Sequence, residues 1–259
     1  DTNLSSAEIT STNQIKISSP IDGKILGTYS SFNAVQEIIF QQSKHWAEKS
    51  FDDKAKVLLG VADHIESNPI KFLSLLVNES GKTYQDSEDE IREAIDFIRY
   101  YVEQAEDLFE NEEMVGPTGE KNFLQHVPKG IVLCISPWNF PLAITVGQII
   151  AALVTGNTVI AKPSEHTTII AYEFIKLLLT KGVPDDAISL VLGDGKVGEH
   201  IIKSQPLDLV CFTGSLQTAK NIHQNLAQKL KNDLAKVSEG GKEFSRQLHQ
   251  SRGKLLPRE

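Results

Sequence analysis

Between residues 130 and 238 the chain repeats one pattern: a short β-branched apolar run, a longer segment of helical period, then another apolar run. The runs at about 130 to 135, 157 to 161, 188 to 192, 208 to 212 and 234 to 238 read as five strands, and the four gaps are long enough for crossover helices. These runs are apolar nearly throughout rather than alternating, as strands covered on both faces must be. The pattern restricts the fold to the α/β class, with a doubly wound, mostly parallel, Rossmann-like sheet.

What precedes the sheet has a different rhythm. Residues 1–14 are rich in Ser, Thr and Asn and are expected to be a disordered start. "QIKISSPIDGKILGTYS" then puts two alternating strands around a Pro-x-Asp-Gly turn, a β-hairpin signal. Helical period follows to Phe109, with Ser50 three residues before Asp53 as a helix start and Asn68-Pro69 as a boundary between two helices. The longest helix runs through "SEDEIREAIDFIRYYVEQAEDLF", where Ile91, Ile95, Ile98 and Val102 keep one face apolar and the charged face is expected to be solvated. "NEEMVGPTGE" reads as a polar linker. The expected organisation is thus a hairpin plus helical part over 15–118, a strand segment over 119–129, the Rossmann-like part over 130–240, and a tail over 241–259.

Composition excludes several functions. A formal charge of -8, with no long basic run, argues against nucleic acid, whose phosphates need a cationic surface. No apolar stretch is long enough for a transmembrane segment. Cys134 and Cys211 are too few for a disulfide framework and lie in apolar runs, so buried, inert, reduced thiols of a cytoplasmic protein are expected. The seven histidines show no short-spaced pair, so no metal is expected. The chain begins Asp1-Thr2 and its only methionine is Met114, which reads as a piece of something longer.

In a doubly wound sheet, ligands bind at the carboxyl ends of the strands. Those ends read "SPWNFP", "KPSEHT", "GDGKVG" and "FTGS". Gly193 to Gly198 match the glycine pattern of a dinucleotide loop, but the acid that should end the next strand is missing, since that strand ends Cys211-Phe212-Thr213. A plain tight turn explains these glycines as well. "AKPSEHT" offers Lys162 and Glu165 three residues apart around a stiffening proline, a pair able to hold the two hydroxyls of a ribose. A local surface ion pair is the alternative for this segment alone.

"SPWNFPLAI", "GNTVIAKPSEHT", "GVPDDAISLVLGDG" and "FTGS" follow one another in an order and spacing that resemble the aldehyde dehydrogenase superfamily, over about residues 15 to 230. "ISPWNFPLAI" followed by "GQI", and "REAIDFIRYY", resemble the L-glutamate γ-semialdehyde (pyrroline-5-carboxylate) dehydrogenases, above all the dehydrogenase half of the bifunctional proline-utilisation type. The resemblance implies NAD-dependent oxidation of an aldehyde, with Asn139 donating its amide to the oxyanion formed when a cysteine thiolate attacks the carbonyl. It implies that Ser136, Pro137 and Trp138 line the cofactor cleft, that Lys162 and Glu165 hold the adenosine ribose with Ser164 close by, and that Gly195 lies near the adenine. Phe212, Gly214 and Ser215 would lie near the pyrophosphate and nicotinamide. Glu165 would repel a ribose 2′-phosphate, favouring NAD over NADP. The strand segment at 119–129 is of the oligomerisation type, so a homo-oligomer is implied.

The pattern breaks near the end. The family's general base belongs to an "E-x-G-G" motif, and "SEGGK" puts Ser238 at that place and Glu239 one residue later, a slip that on a strand would turn the side chain to the opposite face. The family's nucleophilic cysteine lies in a second domain beyond this segment, and "EFSRQLHQSRGKLLPRE" has lost the family pattern. Two function classes follow: the NAD-binding portion of an aldehyde dehydrogenase, expected to be inactive alone, or a non-catalytic nucleotide-binding or assembly module.

Overall fold

The structure is a computed structural model that describes residues 14–30, 40–109, 112–238, 247–248 and 250–252. The first strands, β1 (Gln14–Ser18) and β2 (Ile25–Ser30), pair antiparallel with Ile15 opposite Tyr29. In the turn between them, Asp22 Oδ1 accepts the Lys24 N–H at 3.1 Å, so the expected hairpin forms around its Asp-Gly turn.

Four helices follow, α1 (Lys44–Glu48), α2 (Phe51–Ser67), α3 (Ile70–Ser80) and α4 (Tyr84–Phe109). Ser50 caps α2, its Oγ accepting the Asp53 N–H at 3.1 Å. Pro69 sets the break between α2 and α3. After α4 the stretch expected to be a linker carries β3 (Glu112–Met114), which pairs antiparallel with β4 (Asn122–Leu124). The linker is therefore half of a small hairpin, closed by the turn around Pro117 to Glu120.

The remainder alternates as β5 (Ile131–Ile135), α5 (Ala143–Val154), β6 (Thr158–Lys162), α6 (Thr168–Lys181), β7 (Ile188–Leu190), α7 (Gly195–Ser204), β8 (Leu209–Phe212) and α8 (Leu216–Ser238). The sheet order is β7-β6-β5-β8, with every pairing parallel. The chain winds outward from β5 through β6 to β7, then crosses to the other side of β5 to form β8. The direction of winding reverses between β5 and β8, and a crevice opens at such a switch point.

Both faces of the sheet are covered at β5 and β6. Val132, Val159 and Ala161 belong to the main apolar core with Ile149, Ile150, Ile98 and Phe174, while Leu133 and Ile160, which alternate with them, are also fully buried. α4 lays its Ile91, Ala94, Ile98 and Val102 stripe along α5 and α2. Burying one such aliphatic side chain contributes roughly 1.5–3 kcal/mol, so this seam is a main source of cohesion. Trp46 is buried without residual exposure and donates its indole N–H to the Leu153 carbonyl at 2.9 Å, satisfying the polar atom that burial would otherwise penalise.

The fifth strand expected at 234 to 238 is not a strand. Those residues complete α8, which runs from Leu216 to Ser238 without a glycine or proline. Leu226, Leu230, Leu234 and Val237 recur at helical spacing among strong helix formers, and a strand there would need a sheet neighbour to satisfy its backbone. None of the α8 side chains described is buried.

By packing, the chain divides into two compact units, one spanning Asp1–Gly198 with Gln205–Gly214, the other Glu199–Ser204 with Ser215–Glu259. The first contains the sheet and the helical layer. No helix among the described residues is long and apolar enough to cross a membrane. Among them no group of three or more His, Cys, Asp or Glu side chains could hold a metal ion.

Candidate cofactor and oxyanion site

Register brings the strand-end motifs together. Ile135 is paired with Lys162 on one side and with Phe212 on the other, so the last residues of β6, β5 and β8 form one row across the sheet. The segments that follow, 136–141, 163–167 and 213–214, leave from the same edge. Thr213 N–H donates to the Ile135 carbonyl at 3.1 Å, continuing the ladder one step past β8.

The segment carrying Asn139 is fixed at its base and open at its tip. Ser136 is buried, and its Oγ accepts the Thr145 hydroxyl at 2.7 Å. Pro137 is half-buried, whereas Trp138 and Asn139 are exposed. Asn139 makes no side-chain hydrogen bond among the described residues, so its amide remains available to a ligand. The segment ends where α5 begins, and Glu90 Oε1 accepts the Leu142 and Ala143 N–H groups there at 2.8 and 3.1 Å. The other Glu90 oxygen pairs with Lys82 at 2.6 Å, and the Lys82 ammonium sits 3.8 Å from the centre of the Phe140 ring. Glu90 and Lys82 thus clamp the loop from behind through a cap, an ion pair and a cation–π contact. Glu90 is buried on the α4 face expected to be apolar, so that face carries one carboxylate.

α6 has an equivalent support. Glu79, from α3, accepts the Ile169 N–H at 2.7 Å and the Ile170 N–H at 2.8 Å. Burial pushes its carboxyl up to about 7, against three backbone N–H groups that pull it down. Neither glutamate was singled out from the sequence.

Lys162 is buried, and its ammonium donates to the Pro163 carbonyl at 3.2 Å. Burial depresses its pKa, while Glu165 and Asp194 act in the opposite direction from nearby. Gly198 leaves room for this lysine, since a Cβ there would lie 3.3 Å from Lys162 Cδ. Glu165 is half-buried, and Ser164 stiffens the turn by accepting the His166 N–H at 3.3 Å. The glycine loop has another use for its acid. Asp194 Oδ1 accepts the Lys196 and Val197 N–H groups at 2.9 and 3.3 Å, so the α7 N-terminus already has its anion. A phosphate has no vacant place there, in line with the reading of a turn. Gly195 is exposed with open space around its Cα.

On the β8 side, a Cβ at Gly214 would come within 2.7 Å of Phe212 Cζ. Gln148 of α5 ties this segment to β5, its amide donating to the Ile135 carbonyl at 3.2 Å and to Thr213 Oγ1 at 3.1 Å. Ser215, in the second unit, caps α8 by accepting the Thr218 N–H at 3.1 Å. Glu239 lies outside the described residues.

The two cysteines differ from the expectation of two inert thiols. Cys134 is buried, but Cys211 is only half-buried; among the described residues β8 has no strand beyond it in the sheet. Cys134 and Cys211 are register partners on β5 and β8; the neighbouring Cys134 lowers the Cys211 thiol to about 7, while Cys211 and burial raise Cys134.

Comparison with known proteins agrees with this arrangement. The model described as "Aldehyde dehydrogenase family" matches residues 8–244. The chain is 40% identical over 190 residues to the bifunctional protein PutA of Salmonella typhimurium, covering 73% of this chain and 14% of that protein. It is 34% identical over 207 residues to 1-pyrroline-5-carboxylate dehydrogenase 2 of Bacillus subtilis, covering 77% of this chain and 40% of that protein. The betaine aldehyde dehydrogenase of Staphylococcus aureus, solved in complex with NAD+, superposes with a TM-score of 0.75 at 26% identity, over 84% of this chain and 46% of that one. The chain therefore spans less than half the length of each.

Proposed function

This chain belongs to the aldehyde dehydrogenase family, and from that premise we propose that it supplies the NAD-binding and oxyanion-binding part of an enzyme that oxidises L-glutamate γ-semialdehyde to glutamate. The observation that carries the reading is the row Lys162–Ile135–Phe212, which sets three family motifs on one sheet edge at the winding reversal. The naming of PutA and 1-pyrroline-5-carboxylate dehydrogenase among the relatives supports the substrate.

The residues fit NAD. Gly198 and Gly214 are places where a side chain would crowd Lys162 and Phe212, and Lys162 is a buried cation with Glu165 close by. Lys162 and Glu165 hold the two ribose hydroxyls, one by donating and one by accepting. Ser164 shapes the turn between them, Gly195 leaves space for the adenine, and Phe212 and Gly214 border the distal end. When bound, NAD supplies the hydride acceptor. Ser136, Pro137 and Trp138 wall the cleft, and Asn139 donates its amide to the aldehyde oxygen as negative charge develops there. Loss of one such donor typically costs about 2.7–4 kcal/mol of transition-state stabilisation.

Neither cysteine of this chain acts as the nucleophile, because both lie on the core face of the sheet, below the loops. By itself the chain binds NAD and does not turn over aldehyde. As a cytoplasmic protein it associates with copies of itself through β3–β4, where Phe123 and Leu124 are exposed. Calorimetric titration of the purified chain tests the reading: NAD should bind more tightly than NADP, and Glu165→Gln should narrow the difference. Folded protein that binds neither, or prefers NADP, overturns it.

A further inference from the structure

We propose that Cys134 and Cys211 are a reversible redox pair, oxidised by a peroxide to an intrachain disulfide that ties β5 to β8 beneath the Asn139 and Phe212 loops. The two residues are direct partners in the parallel register of β5 and β8. Neighbouring strands lie about 4.7–4.9 Å apart, inside the Cα separation of roughly 4.4–6.8 Å that disulfides adopt. Register partners also project to the same face of a sheet. Both thiols pack with the main core on that face. Closing the bond needs no exchange of partners and no shift of register.

The pair is asymmetric in the way a two-step oxidation requires. Cys134 is 2% exposed, whereas Cys211 is half-buried. An oxidant therefore meets Cys211 first. The neighbouring Cys134 lowers the Cys211 thiol toward its thiolate, and the thiolate is the reactive form.

The Cys211 thiolate attacks one oxygen of hydrogen peroxide, the O–O bond breaks, and hydroxide leaves with a proton as water. This leaves a sulfenic acid at Cys211. Cys134 sulfur attacks the Cys211 sulfur, the S–O bond breaks, and the departing hydroxide takes the Cys134 proton as a second water. Two thiols and one peroxide become one disulfide and two waters. A small dithiol reverses the change by exchange.

The experiment uses the full chain, folded and without denaturant, exposed to hydrogen peroxide, quenched, and examined by thiol count and peptide mapping without reductant. Both thiols should be lost together, the mass should fall by two hydrogens, and one crosslinked peptide pair should join the segments holding Cys134 and Cys211. Dithiothreitol should restore both thiols. Cys134→Ser should stop at a Cys211 sulfenic acid that dimedone traps, and Cys211→Ser should leave Cys134 unmodified. Circular dichroism checks that each variant folds, and if one does not, the wild-type peptide map decides alone. Thiols that stay free in the folded protein, disulfides between chains, or oxidation of Cys134 in the Cys211→Ser variant would each overturn the proposal.

Discussion

Phe212 lies against Gly214 so closely that a Cβ on the glycine would sit 2.7 Å from the phenyl Cζ. Phe212 is half-buried, and its ring must turn aside to admit a methyl group at Gly214. Gly214→Ala should therefore cost about 1–3 kcal/mol, as overpacking typically does. Urea denaturation will measure it, and NAD binding by calorimetry should weaken in parallel. An alanine variant equal to wild type in both would show that the ring is free to move.

Lys162 can be tested apart from stability. Its aliphatic stem packs near Gly198, and its ammonium donates to the Pro163 carbonyl, within the electrostatic influence of Glu165 and Asp194. Lys162→Met keeps the stem and removes the donor. A lost hydrogen bond from a charged group is worth about 1.5–3 kcal/mol, so the NAD dissociation constant should rise roughly 10- to 100-fold with the fold intact. Unchanged affinity would remove Lys162 from the cofactor site.

Glu90 serves the α5 N-terminus and Lys82 at once. Glu90→Ala would open two N–H groups and leave a largely buried ammonium without its partner. Breaking a buried pair costs roughly 3–5 kcal/mol. Glu90→Gln, which keeps an acceptor for the backbone, should cost less. Chemical denaturation of both variants will show the order, and a milder effect for alanine would contradict the account.

Glu79 gives a pH dependence of known sign. Its carboxyl is raised from 4.5 to about 7 in the fold, so the folded chain holds the proton more tightly than the unfolded chain. Its contribution is complete below about pH 4.5 and is lost as pH rises through about 7, a change on the order of 3 kcal/mol. Glu79→Gln does not titrate, so the stability of wild type relative to this variant should fall across that window. A relative stability that rises with pH would mean that the three backbone N–H groups outweigh burial.

The sheet and the strand-end motifs were legible because both faces are covered at β5 and β6, which makes those strands uniformly apolar between turns. Glu79 and Glu90 were not, because periodicity treats a helical carboxylate as solvent-facing. One signal existed: Glu90 lies one turn before Ala94 on the same stripe as Ile98. The apolar run at 234 to 238 was misread because periods of 2 and 3.6 are hard to separate over five residues. The exposure of Cys211 could not be read locally, since the strand order, which among the described residues ends at β8, is not written in the run itself.

The two supporting glutamates reach across 52 and 91 residues of chain to the helices that they cap. Contacts so distant in sequence form late and slow the search for the native state. α5 and α6 therefore have no complete start until α3 and α4 have docked. A nucleotide-binding half excised between Phe109 and Ile131 for grafting elsewhere would carry two crossover helices with open amino ends, and the discarded helices would keep two carboxylates with nothing to receive. Recombination within this chain should succeed only where the cut leaves both reaches intact.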